Sequence, residues 1–160
     1  MTKPVRILIL TALLFAFPAL AISDPVGSTD ARQVSAVLSD LGYSFTLDQD
    51  DEGMPLFRIE LKSGYNALLF FYDDIAERPG YESLQLYAAF STDGKVPLQK
   101  VNDWNYSYRF AKVYLDDELD PVLESDLDLA GGVDLPGVLA VFLENFEASF
   151  ETFAREVVGE

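Results

Sequence analysis

Cysteine and histidine are both absent from the 160 residues, tryptophan occurs once, and lysine and arginine number 11 against 27 aspartates and glutamates. Each shortage excludes something. Without cysteine there is no disulfide framework, no thiolate nucleophile and no lipid held through a thiol. Without histidine the chain lacks the usual near-neutral base and, with cysteine gone too, the commonest zinc ligands. The scarcity of basic residues leaves a formal net charge of −16. Such a field repels nucleic acid and anionic lipid surfaces, and favours solubility and encounters with basic partners or cations. An aromatic content of 13% nevertheless argues against disorder. Internal repeats, low-complexity tracts and long Pro/Gly/Ser linkers are missing as well, so one folding unit is expected.

The first 21 residues read as an export signal. Lys3 and Arg6 make a basic start, Ile7 to Leu20 an apolar stretch broken by Pro18, and Ala19-Leu20-Ala21 a small-x-small cleavage site. The stretch is shorter than the roughly 20 apolar residues that span a bilayer. The expectation is a signal peptide at 1–21 and a periplasmic or secreted domain at 22–160, with no stable membrane insertion after cleavage. About 140 residues suffice for one substantial core.

Along that domain, Asp30 and Gln33 make a capping pair ahead of Val34, Val37, Leu38 and Leu41 at helical spacing, and Gly42 is the natural left-handed stop. Strand periodicity follows near 43–47, 56–61, 67–72 and 83–90, with turns at 48–53 and 62–64. The continuous apolar run Ala67 to Phe71 predicts a central strand, and Leu84, Leu86 and Ala88 a face that packs while its opposite stays partly wet. A second helix is expected from Pro97 to about Tyr106. A hairpin over 109–115 and 122–127 follows, turning at Asp116 to Asp120. A last helix, capped by Asp134 with Pro136 in its first turn, carries Val138, Leu139, Phe142, Phe146, Phe150, Phe153 and Val157 on one face. Strands in runs without intervening helices imply an α+β fold, an antiparallel sheet with helices on one face, in the order α-β-β-β-β-α-β-β-α.

The segments Val101-Asn102-Asp103-Trp104-Asn105, Arg109 to Asp116, Leu123 to Leu127, Gly131-Gly132-Val133 and the Phe-bearing terminal helix together resemble the YbjN family. The helix ending in Leu41-Gly42-Tyr43 and the meander after it are consistent with the same pattern. The resemblance implies a type III secretion chaperone-like fold and a role described as sensory transduction regulation, with no catalytic motif. It connects the fold to dimeric chaperones that hold extended client segments. Two features depart from the family: the export signal, and Leu119 and Pro121 around Asp120 where an Asp-Gly turn is more usual.

Asn102, Trp104 and Asn105 are the candidate partner-binding residues, two amides able to bond a peptide backbone beside the lone indole; the competing reading makes them helix-end and core residues. The acidic turn at 48–53 has carboxylates at Asp48, Asp50 and Glu52 and a glycine at Gly53, as a calcium loop opens, but Ile59 stands where the bidentate glutamate belongs. A solvated turn is the better reading. Gly131-Gly132 lacks the lysine of a phosphate loop and precedes an Asp, so a tight turn explains it. No catalytic residue, metal or cofactor is expected. Carboxylate pairs permit glycoside hydrolysis in principle, yet with so many acids their presence distinguishes nothing. The terminal Phe stripe allows a homodimer. The reading is therefore an exported, non-enzymatic protein-binding or regulatory module that holds an extended segment or a basic surface of an unidentified envelope protein, and not nucleic acid, using the sheet and the Asn102–Trp104 region. An acidic envelope hydrolase is the alternative.

Overall fold

The computed structural model describes residues 26–75 and 80–159. The proposed leader and cleavage site lie outside the described residues.

Helix α1 (Ala31–Asp40) starts at a reciprocal capping box, in which the Gln33 amide N–H donates to Asp30 Oδ1 at 2.8 Å and the Asp30 N–H to Gln33 Oε1 at 3.1 Å. It buries Val34, Val37 and Leu38 and stops before Gly42, whose φ of 79° needs no Cβ. Leu41, expected on the buried stripe, is 41% exposed because the helix has already ended.

Four strands follow as a meander: β1 (Phe45–Gln49), β2 (Pro55–Glu60), β3 (Asn66–Asp74) and β4 (Tyr81–Ala89). Helix α2 (Leu98–Ser107) then leads to β5 (Lys112–Leu115) and β6 (Pro121–Asp128). All neighbours are antiparallel in the order β1-β2-β3-β4-β6-β5, so β1 and β5 are the edges. The run Ala67–Phe71 does lie centrally, in β3. The turns that separate these strands consume their own carboxylates: Asp50 Oδ1 accepts from the N–H groups of Glu52 and Met54, and Asp116 Oδ1 from those of Glu118 and Asp120. Gly132, with φ of 82°, turns the chain from β6 towards the last helix.

Helix α3 (Leu135–Phe153) widens into a π-helical turn (Ala154–Val158) that ends at Gly159. It buries Leu139, Phe142, Leu143, Phe146, Phe150 and Phe153, while Val138 is only half-buried. Asp134 stands at the N-cap without a side-chain capping bond, and Pro136 occupies the first turn.

Period-two alternation assigns the sheet faces. Phe57, Ile59, Leu69, Phe71, Leu84, Leu86 and Leu123 are at most 1% exposed and join the apolar faces of all three helices in one core. The opposite phase holds Leu56, Leu68, Phe70 and Tyr87, which are half-buried and stand outside that core. The helices therefore cover one face. Among the described residues no helix is long and apolar enough to cross a membrane.

Candidate functional site

The three nominated residues lie on α2, where helical geometry gives each a different environment. Trp104 is 2% exposed, its indole N–H donates to the Ala111 carbonyl at 3.3 Å, and its ring meets Tyr108 and Phe153 at centroid separations of 4.3 and 6.1 Å. The indole thus ties α2 to α3 and to the approach to β5. Asn105 presents its amide to the free edge of β5: Nδ2 donates to the Val113 carbonyl at 2.8 Å, and Oδ1 accepts from the Val113 N–H at 3.0 Å. Both polar groups of an edge residue are thereby satisfied as a seventh strand would satisfy them. Asn102 is exposed beside a shallow depression of about 470 Å³ that it shares with Leu98, Gln99, Val101 and Asn105.

The α2–β5 connection carries a further constraint. Phe110 has φ of 72°, a left-handed conformation unusual for so large a residue. Its carbonyl accepts from Ser125 Oγ, and the conformation delays the extended run expected from Arg109 until Lys112.

The depression most like a reaction cleft lies between α2 and the end of α3 and measures about 190 Å³, with Asp103, Tyr108 and Glu156 among its lining. The Tyr108 hydroxyl donates to Glu156 and holds that carboxyl below its ordinary range. A general acid needs the opposite shift. Lys100 is engaged with the Val157 carbonyl at 3.2 Å. Among the described residues no group of three or more carboxylates gathers as metal ligands do.

The uncovered sheet face mixes apolar, aromatic and charged side chains. Strand pairing arranges it in rows: Tyr72-Ser83-Asp128, then Leu56-Phe70-Gln85-Asp126, then Arg58-Leu68-Tyr87-Glu124-Lys112, then Ala89-Val122-Tyr114. Phe70 meets Tyr87 edge-on with centroids 6.1 Å apart. Tyr72 and Tyr114 are 46% and 37% exposed. Glu124, though 8% exposed, is satisfied by the Tyr114 hydroxyl and by Lys112 Nζ at 2.9 Å. All three of these tyrosines hold their protons more tightly than usual, burial being the first cause in each. Carboxylates add to it: Glu124, Asp50, Asp126 and Glu52 at Tyr72, Asp116 and Glu124 at Tyr87, and the Glu124 hydrogen bond at Tyr114.

Compared with known proteins, residues 30–158 match the sequence pattern of the YbjN family, described as "Putative bacterial sensory transduction regulator". The chain belongs to the YbjN family. No curated protein is similar enough to count as a match. In this YbjN domain the segment Val101 to Asn105 is accounted for by architecture. Val101 and Trp104 are core, Asn105 closes the β5 edge, Asp103 accepts from Gln99 Nε2 at 2.7 Å, and Asn102 stands exposed. Sequence reasoning named the sheet as part of the contact surface but none of the residues of its aromatic face. Its signal was present in Leu68 and Phe70, apolar on both phases of β3, and in Tyr87 and Tyr114 on the opposite phase from the core.

Proposed function

We propose that this YbjN protein is an exported, non-enzymatic binding or regulatory module with a chaperone-like fold, and that it holds a segment of an envelope protein on the uncovered face of its sheet. The observation that carries the reading is the one-sided layering: helices bury one face, while the other exposes half-buried Leu56, Leu68, Phe70 and Tyr87 beside Tyr72 and Tyr114. A sheet face with that much aromatic surface is a protein-contact chemistry more than a solvation chemistry. Export rests on the basic start, apolar stretch and Ala19-Leu20-Ala21 of the leader. The hydrolase alternative has no comparable support: in the depression between α2 and the end of α3 the Glu156 carboxylate is already engaged by the Tyr108 hydroxyl. Asn102 remains the nominated α2 residue free to touch a partner. Trp104 and Asn105 position the helix that bears it.

The test is photo-crosslinking in the native envelope, with a benzophenone amino acid placed at Tyr72, at Asn102 or, as a control on the helical layer, at 55%-exposed Val141. Adducts from Tyr72 and not from Val141 are expected. Adducts from Asn102 alone would move the binding surface to α2, and adducts from Val141 alone, or from no position, would overturn the reading.

A further inference from the structure

The uncovered face is apolar at its centre and acidic on both flanks. Down the centre run Leu56, Leu68, Phe70, Tyr72 and Tyr87. On one flank β6 places Glu124, Asp126 and Asp128 at alternate positions on this same face. Among the described residues Lys112 is the one cation on that column, at 2.9 Å from Glu124 and 3.5 Å from Asp126, and Gln85 Nε2 donates to Asp126 at 2.7 Å. On the other flank Asp48 pairs beside Leu56, and Asp50 and Glu52 of the following turn come near enough to bear on the Tyr72 hydroxyl. Arg58 is the cation on that side.

Resting on the binding reading above, we infer that this face takes an extended segment of another polypeptide that carries apolar side chains at its middle and basic side chains towards both ends. Charge complementarity selects the occupant. Apolar side chains remove the central aromatics from water, and lysines or arginines reach the two carboxylate columns that flank them. A second copy of this chain is a poor occupant, because a symmetric pairing through this face would set its carboxylates against their own kind. Nucleic acid and anionic lipid are repelled by the same field. Size selects a segment over a folded surface. Six strands span about 24 Å and four rows about 20 Å, so the face offers at most on the order of 480 Å². That is short of the about 800 Å² per partner typical of stable globular complexes, but it matches roughly seven residues of extended chain.

The probes are three ten-residue peptides, one with a leucine-rich middle and lysines at both ends, one with the same middle and glutamates at both ends, and one with a serine-rich middle and lysines at both ends. They are titrated by fluorescence anisotropy against the protein purified as its host processes it. The lysine–leucine peptide is expected to bind best and to weaken as salt rises from about 50 to 300 mM, because exposed charges are screened. The double variant Glu52→Lys/Asp126→Lys, both exposed positions, should lose about tenfold for that peptide and gain affinity for the glutamate–leucine one. A gain of binding is an outcome that misfolding does not produce. Equal binding of the three peptides, or a double variant that keeps the original preference, overturns the inference. So does a second copy of this chain, or an acidic segment, recovered as the Tyr72 adduct, though the binding reading then stands. Loss of all Tyr72 adducts brings down both.

Discussion

Asn105 offers the sharpest test of whether the Val101–Asn105 segment serves architecture or ligand binding. Its amide makes two hydrogen bonds to one residue of an edge strand, at 2.8 and 3.0 Å, and that residue, Val113, is 2% exposed. Each such bond contributes about 1 kcal/mol net, and a buried backbone group left unpaired costs about 1–3 kcal/mol more than an exposed one. Asn105→Ala should therefore cost about 2–4 kcal/mol, a large share of the 5–15 kcal/mol typical of a domain. At about 1–3 kcal/mol per molar of urea, the midpoint falls by about 1–2 M. Asn105→Asp keeps the acceptor for the Val113 N–H but sets a carboxylate oxygen against its carbonyl, so it should do no better than alanine. Urea unfolding can be followed through the lone tryptophan, buried in the core. Asn102→Ala is the control, one position exposed to solvent on the same helix, with an expected change within about 0.5 kcal/mol. An unchanged midpoint for Asn105→Ala would refute the edge-closing role and return Asn105 to the list of ligand-binding amides.

Three further outcomes are expected. Leu119 holds a φ of 63° while 54% exposed; relieving a left-handed side chain gains about 1–2 kcal/mol and glycine's freedom gives back part of it, so Leu119→Gly should stabilise by up to about 1 kcal/mol in thermal unfolding. Asp120 has its carboxyl held below the ordinary range, first by the Thr92 N–H at 2.6 Å and then by the Thr92 hydroxyl. A lowered folded value contributes stability above the unfolded carboxylate range of about pH 4 that is lost as pH falls through the folded value. The advantage of wild type over Asp120→Asn in urea should shrink on acidification and be flat above about pH 5. Tyr43 resists ionisation because it is partly buried and then because Glu147 lies against it. Spectrophotometric titration of Glu147→Gln should show one tyrosine ionising earlier, with some loss of stability, since Glu147 also accepts from the Lys62 N–H at 3.1 Å.

By itself the sequence determined what local chemistry and periodicity can determine. The capping pair Asp30 and Gln33 set the start of α1, the double-phase apolar run Ala67–Phe71 marked the central strand, and the Phe spacing of α3 marked its buried face, because each signal lies within a few residues of its effect. The missing cysteine and histidine and the excess of acids likewise needed no fold to be read. The tertiary structure alone decided the fates of Trp104 and Asn105. A tryptophan and an amide at helical positions 104 and 105 are equally compatible with a ligand groove and a core. Only the arrival of Ala111, Val113 and Phe153 from other elements gives them partners. The acidic-flanked aromatic face is of the same kind. Phe70, Tyr87 and Glu124 come from strands as far apart as residues 70 and 124, and only the β3-β4-β6 order places them side by side. Sequence spacing records which side of a strand a residue faces, whereas strand order, which depends on long-range pairing, records whose neighbour it becomes.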